Sequence, residues 1–217
     1  MPVTLAQKLY LLCYSVPKSK FPLDDIQGRG QLLRAGALTA LARDGLLDAS
    51  GGKVRRLPGT PPEDPFTGAV WHDLPADKPR GWLTFVHDKA HKAETPVRDQ
   101  LLSSGEITLS RAKKLGVIPV DKVTVVDPDA VRDLQERVRA TVLDGTGPAG
   151  TLTDELAMAV FAVELELSPV WSGQERRAHK GDLKAHAARY DGFVPGLRKA
   201  LRDSYLSSRA VGGGWSA

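Results

Sequence analysis

The chain has 217 residues, of which 41% are hydrophobic and 26% are charged, and this balance excludes global disorder and predicts a folded core. Lysine and arginine together number 30 against 26 aspartates and glutamates, so the net charge is +4 and polyanions such as phospholipid headgroups or nucleic acid are favoured partners. A single cysteine, Cys13, excludes an intramolecular disulfide, and we expect it to be a buried free thiol in a reducing compartment.

An apolar run, LYLLCYSV at residues 9–16, lies near the start of the chain. It is shorter than the roughly 20 apolar residues that a membrane helix needs, and it lacks the basic leader and small-residue cleavage site of a signal peptide. No other stretch approaches that length. We therefore expect a cytoplasmic protein whose membrane contact is peripheral.

Residues 31–57 are predicted to form an amphipathic helix followed by a β-hairpin. The sequence LLRAGALTALARDGLL places leucines and alanines on one helical stripe, with Arg34, Thr39 and Arg43 around it, and the helix is expected to end near Gly45. Two short strands follow, joined by a SerGlyGly turn.

A connecting segment is predicted between residues 58 and 80. Six prolines disfavour long regular structure there: Pro58, Pro61, Pro62, Pro65, Pro75 and Pro79. Phe66, Val70 and Trp71 are expected to anchor this segment to the core, because large apolar side chains rarely stay exposed. A short helix is predicted at residues 81–92.

A second unit of helix and hairpin is predicted to begin at Thr95, with Pro96 at the first helical position and Gly105 at the end of the helix. The segments ITLS and KVTVVD are predicted to pair within a hairpin at residues 107–126. Their connection, residues 111–121, carries three basic residues and is expected to be a projecting loop or wing, with an ordinary solvated loop as the alternative.

Helices dominate the remainder of the chain. They are predicted at residues 127–143, 151–167, 182–190 and 195–207, the last two separated by the breaker AspGly. Strands come as local hairpins, without the alternation of a parallel sheet. We therefore predict a mainly α fold, a compact single-domain helical core with small β-hairpins over residues 1–210, and a flexible tail at 211–217.

Three patterns typical of cofactor or catalytic sites have simpler interpretations. GTGPAG at 145–150 matches a dinucleotide fingerprint, but a predicted helix precedes it where a strand is required, which favours an interhelix loop. His87 and His91 have the spacing of two zinc ligands but no evident third ligand, so a metal-assisted hydrolase is the least favoured hypothesis. Asp24 and Asp25 are interpreted as cap or turn residues before a glycine turn at Gly28 and Gly30. We expect no enzyme, cofactor or metal site.

Several basic residues lie near predicted helix starts, where guanidinium groups and free helix N–H groups both favour phosphate. Arg29 and Arg34 flank the start of the first predicted helix, and Arg98 lies at the start of the second. A helix followed by a hairpin with the basic sequence KVRRL is also typical of a winged-helix nucleic-acid-binding protein, which stays open as the alternative function.

The succession of LLRAGALTALARDGLL, a hairpin, a proline-containing connection, VRDQL with a second hairpin, and a helix ending in ATVLDG resembles the Golgi phosphoprotein 3 family over residues 24–167. The resemblance implies a peripheral membrane adaptor that binds phosphatidylinositol 4-phosphate and, in Golgi members, recruits glycosyltransferase tails. Protein client tails are therefore expected partners, and nucleic acid is not. The hairpin at 107–126 matches the family element that mediates self-association or membrane insertion.

By motif position, Arg34 and Arg98 match headgroup-binding arginines of the family, and we assign Arg29 and Lys92 as auxiliary phospholipid-binding charges. Two departures from the family pattern bear on this site. The chain has no tryptophan between residues 21 and 34, where the family has one, and Thr95 stands where the family has a second arginine, with Lys92 as a partial substitute. These departures favour a generic anionic site over recognition of the inositol ring.

Overall fold

The computed structural model describes residues 4–22, 26–114, 118–145 and 150–212, of which 26, 27, 111–114, 118–121, 211 and 212 are described by their backbone alone. The helices are α1 (Leu5–Leu12), α2 (Ile26–Arg43), α3 (Pro65–Asp73), α4 (Trp82–His87), α5 (Glu94–Ser103), α6 (Pro128–Leu143), α7 (Asp154–Glu164), α8 (Gly173–Ala178), α9 (Lys180–Phe193) and α10 (Leu197–Gly212). A turn of 3₁₀ helix spans Ala90–Lys92. The strands are β1 (Leu47–Ser50), β2 (Lys53–Arg56), β3 (Arg80–Gly81), β4 (Ile107–Lys114) and β5 (Ile118–Val125).

The core is built around α2, which packs against α1, α3, α4 and α10, and around α7, which packs against α6 and α9. Leu33 and Leu38 of α2 and Phe161 of α7 are completely buried, because the apolar stripes of both helices face inward. The predicted core helix is therefore confirmed, whereas the helix predicted to be amphipathic is buried on all sides from Gly28 to Leu41, including its polar residues Arg34 and Thr39. Cys13 is buried as a free thiol, also as predicted. The fold is mainly α with small hairpins.

Two antiparallel sheets complete the fold. In the first, β2 pairs with β1 from Leu47 opposite Arg56, and β3 adds a short third strand through Val54 opposite Arg80. In the second, β4 pairs with β5 from Ile107 opposite Val125. Both predicted hairpins are confirmed, but the third strand was not predicted. The strands of the second hairpin are longer than predicted, since residues 111–114 and 118–121 are strand and not loop.

Side-chain caps explain which helix starts were predicted correctly. Asp127 accepts a hydrogen bond from the backbone of Ala130 ahead of α6, and Thr153 does the same for Leu156 ahead of α7.

Asp64 caps α3 in the same way, with Pro65 at the first helical position. A proline there costs no helical hydrogen bond, so the prediction that residues 58–80 only connect was wrong. The expected anchors Phe66, Val70 and Trp71 are buried on α3.

Other predicted boundaries were wrong where a local breaker was overruled by packing. The helix α9 continues through the AspGly pair, and the chain turns instead at Gly196, whose φ is 89°. The expected turn at Gly28 and Gly30 is part of α2. The helix α5 begins at Glu94, so Pro96 lies in its first turn, where N–H groups have no helical partner.

The helix α8 was not predicted, and its start is held by a capping box. Ser172 accepts a hydrogen bond from the Glu175 backbone, and the Glu175 carboxylate accepts one from the Ser172 backbone and one of 2.6 Å from Arg139. The hydrogen bond from Arg139, followed by those from Ser172, lowers the pKa of Glu175 to about 2. Because this folded-state pKa lies below the ordinary value of 4.5, the stabilisation is present above pH 4.5 and is lost as pH falls towards 2.

We expect Glu175→Gln to lower the free energy of unfolding at neutral pH by at most about 1 kcal/mol, because the pair is partly exposed to water. The effect should shrink as pH falls, since protonation removes the same charge from the parent chain. Urea unfolding of both proteins at pH 7 and pH 3 measures the difference. An equal loss at both pH values would contradict the assignment of the carboxylate charge to this cap.

Candidate anion-binding site

Arg29 lies in the beginning of α2 and is 3% exposed. Its Nη1 donates to Glu94 Oε1 at 2.7 Å, and its guanidinium lies over the rings of Tyr10 and Phe21, with Cζ 5.3 and 4.8 Å from their centroids. Its Nε and Nη2 are buried and have no hydrogen-bond partner among the described residues. Burying a cation is costly unless its donors are satisfied, so these two nitrogens are free to bind an anion.

Arg98 lies on α5, one turn after Glu94, with its side chain 25% exposed. Its Nη2 is 3.5 Å from Asp99 Oδ1, and its Nε is buried without a hydrogen-bond partner in the described part of the chain. Burial raises the pKa of the Tyr10 hydroxyl to about 12, although the charges of Arg29 and Arg98 oppose this shift. The charges of both arginines therefore lower the pKa of the same buried hydroxyl.

Buried polar atoms without a hydrogen-bond partner in the described part of the chain are concentrated around Arg29. Within the described residues, six buried side-chain nitrogen or oxygen atoms lack a hydrogen-bond partner, and four of the six belong to Tyr10, Arg29 and Arg98. Native proteins satisfy nearly all buried polar groups, so such a group of donors needs an explanation. An oxyanion is one kind of ligand that accepts hydrogen bonds from guanidinium and hydroxyl donors of this kind.

Two helix starts meet at the same place. The Arg29–Glu94 ion pair joins α2 to the first residue of α5, and Gly30 contacts the 3₁₀ helix so closely that a Cβ atom would lie 2.0 Å from the carbonyl oxygen of Ala90. Lys92 is exposed two residues before Glu94. We call Tyr10, Arg29, Lys92 and Arg98 the α2–α5 cluster.

Arg34 lies elsewhere. It follows Arg29 by five residues, which turns it roughly 140° around the helix. It is 4% exposed, its Nη2 donates to Asp73 Oδ2 at 3.0 Å, and its Nε donates to the Phe85 carbonyl oxygen. Lys89 also pairs with Asp73. Arg34 thus ties α2 to α3 and α4.

Arg34 borders an open pocket of about 360 Å³. Its lining residues are Arg34, His72, Asp73, Arg80, Thr84, Phe85, Asp88 and Lys89. Three cations face two carboxylates there, and Asp73 is already engaged by two of those cations. Of the four predicted phospholipid-binding residues, Arg29 and Arg98 both lie near Tyr10, Arg34 contacts Asp73 and Phe85 instead, and Lys92 is exposed on the 3₁₀ helix.

A family model described as Golgi phosphoprotein 3 (GPP34) matches residues 5–204. The chain belongs to the Golgi phosphoprotein 3 family. The match extends beyond the resemblance seen at residues 24–167, so that α1, with Tyr10, and the first half of α10 are part of the Golgi phosphoprotein 3 domain. No curated protein matches the chain.

Among the residues described above, no helix combines the length and the apolar character needed to cross a bilayer. At the base of the second hairpin, Leu102 and Val126 are 39% and 57% exposed. The tip of that hairpin, residues 115–117, lies outside the described residues.

The two histidines of the zinc-like spacing have different surroundings. His87 Nδ1 forms a hydrogen bond of 2.9 Å with Ser204 Oγ, and His91 is exposed in the 3₁₀ helix. The described residues contain no group of three or more histidine, cysteine, aspartate or glutamate side chains arranged to hold a metal ion. Asp24, Asp25, most of the GTGPAG segment and tail residues 213–217 lie outside the described residues.

Tyr10 and Glu94 were not predicted as site residues. Tyr10 lies in an apolar run that is typical of core helices, and its hydroxyl gives no pattern in the sequence. Glu94 lies shortly before the VRDQL motif, which begins at Val97. Its partner Arg29, however, is 65 positions away along the chain. The one usable signal was helical spacing, which separates Arg29 from Arg34.

Proposed function

We propose that this protein is a peripheral membrane-binding protein that recognises the phosphate group of an anionic phospholipid through the α2–α5 cluster. The observation that carries the proposal is the buried guanidinium of Arg29, whose Nε and Nη2 have no hydrogen-bond partner within the described residues. Membership of the Golgi phosphoprotein 3 family supports phosphatidylinositol 4-phosphate as the lipid. Recruitment of protein client tails to the membrane is part of the same proposal.

The chemistry of the cluster favours a terminal phosphate. A guanidinium binds phosphate through two parallel hydrogen bonds, and in Arg29 the two adjacent nitrogens Nε and Nη2 have no partner within the described residues. Because Arg29 is 3% exposed, the anion has to enter between α2 and α5 to reach it. A phosphate monoester at the tip of a headgroup enters more easily than a diester flanked by glycerol and a second substituent. Phosphatidylinositol 4-phosphate and phosphatidic acid carry such a monoester.

Lys92 and Arg98 are the more exposed basic residues of the cluster. Lys92 is exposed, and Arg98 is one quarter exposed with an unpartnered Nε. Each basic residue close to an anionic membrane contributes about 1 kcal/mol. Lys92 therefore adds attraction to any anionic surface, whereas Arg98 also contacts the phosphate that reaches Arg29.

Vesicle flotation tests the proposal. Neutral vesicles are doped with phosphatidylinositol 4-phosphate, phosphatidic acid or phosphatidylserine at matched total charge. We expect the two monoester lipids to recruit the chain more strongly than phosphatidylserine. Arg98→Gln should weaken recruitment by the monoester lipids about tenfold, the equivalent of one charge-assisted hydrogen bond of about 1.4 kcal/mol.

Arg137→Gln is the matched control, because Arg137 is exposed on α6 and has no ion pair within the described residues. Arg34→Gln tests the fourth predicted residue, and we expect a smaller effect on recruitment because its donors are bound to Asp73 and Phe85. Equal recruitment of the parent chain and Arg98→Gln would contradict the proposal. A larger loss for Arg34→Gln than for Arg98→Gln would move the site to the pocket beside Asp73.

A further inference from the structure

A groove separate from the α2–α5 cluster runs between α7, α9 and the beginning of α10. Its volume is about 440 Å³, within the range of small-molecule sites. The lining residues are Val163, Glu164, Arg176, Lys180, Leu183, Lys184, Ala187, Ala188, Asp191 and Arg198. None of them belongs to the proposed phosphate site.

The floor of the groove is apolar. Leu183 of α9 is 8% exposed, and Val163 of α7 lies beside it. Ala187, which is half-buried, continues the floor along α9, and its small side chain leaves the space open, while Ala188 is exposed at the edge of the groove. A floor of this kind favours a hydrocarbon chain, because it removes apolar surface from water on both sides of the contact.

The rim of the groove is positively charged. Its two carboxylates both pair with Arg198, which contacts Glu164 at 2.7 Å and Asp191 at 2.6 Å, so that one of their two negative charges is offset. Lys180 and Lys184 are exposed, lie one turn apart on α9, and have no ion pair within the described residues. Their two charges remain available to a ligand.

Arg176 adds a third positive charge to the rim. Its Nη1 donates to the Trp171 carbonyl oxygen at 2.7 Å, a neutral acceptor that holds the side chain in place and leaves its charge uncompensated at that contact. An anion at the rim would therefore lie near three cations while its apolar part covers the floor. The positive rim and the apolar floor together favour a ligand that has both an anionic group and an apolar part.

We propose that this groove binds a single-chain anionic amphiphile, of which an ionised fatty acid is the simplest case. The carboxylate lies against Lys180 and Lys184, and the hydrocarbon chain lies along Leu183, Ala187 and Val163. Charge complementarity selects this occupant over a neutral lipid, and the small side chain of Ala187 in the floor admits a single chain.

Fluorescence of cis-parinarate, a naturally fluorescent fatty acid, measures binding to the full chain. We expect saturable binding that laurate displaces, and at least tenfold weaker binding of the uncharged methyl ester of parinarate. Lys180→Glu combined with Lys184→Glu should weaken parinarate binding at least tenfold and leave the methyl ester unaffected. Ala187→Trp should weaken both probes, because the indole fills the floor.

Lys18→Glu combined with Lys20→Glu is the matched control, since it makes the same charge change at two exposed lysines outside the groove. Circular dichroism confirms that each variant is folded. Equal binding of the acid and its ester, or parinarate binding unaffected by the Lys180 and Lys184 substitutions, would overturn the proposal. Displacement of parinarate by polyglutamate but not by laurate would overturn it in favour of an acidic protein segment.

Discussion

Replacing Arg29 with methionine should remove most of the affinity for vesicles that carry a phosphate monoester and leave the folded chain at least as stable as before. The guanidinium is buried with two of its nitrogens unpartnered within the described residues, and its one hydrogen bond goes to Glu94. Exchanging a buried ion for an apolar side chain of similar volume is often neutral or stabilising by about 1–4 kcal/mol. Two lost phosphate contacts of about 1.5 kcal/mol each predict roughly a hundredfold weaker binding.

Urea unfolding and vesicle flotation on the same preparation measure both effects. The control is Arg29→Lys, which keeps the charge and loses the planar fork, so its affinity should fall between those of the parent chain and Arg29→Met. Glu94 is 32% exposed and can be hydrated when its partner is removed, which keeps the stability comparison interpretable. A loss of more than about 2 kcal/mol of stability in Arg29→Met, with recruitment per folded molecule unchanged, would show that Arg29 is structural.

The sequence predicted the fold well where local signals agree. The helix at α6 has a cap, a first-turn proline and an apolar stripe, and all three indicate the same bounds. The helix α3 was missed because prolines were treated as breakers throughout a segment in which Pro65 begins a helix. The end of α9 was misplaced for the opposite reason, since AspGly is a breaker only where packing does not hold the helix.

The candidate site could be predicted only in part. Motif position pointed to Arg34 and Arg98, but helical geometry places Arg34 and Arg29 on different sides of α2. The observation that singles out Arg29 is that its Nε and Nη2 have no hydrogen-bond partner within the described residues, which depends on the packing of Tyr10 and Phe21 against it. No helical or strand periodicity encodes that packing, because Tyr10 lies in α1, Phe21 in the segment after it and Arg29 in α2.

The close contact between α2 and the 3₁₀ helix makes Gly30 the most sensitive position of the site. We expect Gly30→Ala to lower the free energy of unfolding by about 3 kcal/mol, at the upper end of the usual cost of overpacking. A Cβ atom at this position would lie 2.0 Å from the backbone oxygen of Ala90, so one of the two helices has to move. Intrinsic helix propensity predicts the opposite sign, since alanine in a helix is favoured over glycine by about 1 kcal/mol.

Gly181→Ala is the matched control, because Gly181 is also helical and an added Cβ atom there meets no atom within 4 Å. It should stabilise the chain by about 0.5–1 kcal/mol, so the two substitutions should change the urea midpoint in opposite directions. Any Gly30→Ala chain that folds should also bind phosphate-bearing vesicles more weakly, because separating α2 from the 3₁₀ helix moves Arg29 away from Glu94 and Arg98. Stabilisation by both substitutions would mean that α2 and the 3₁₀ helix do not pack this closely, and the two helix starts would then not form one anion site.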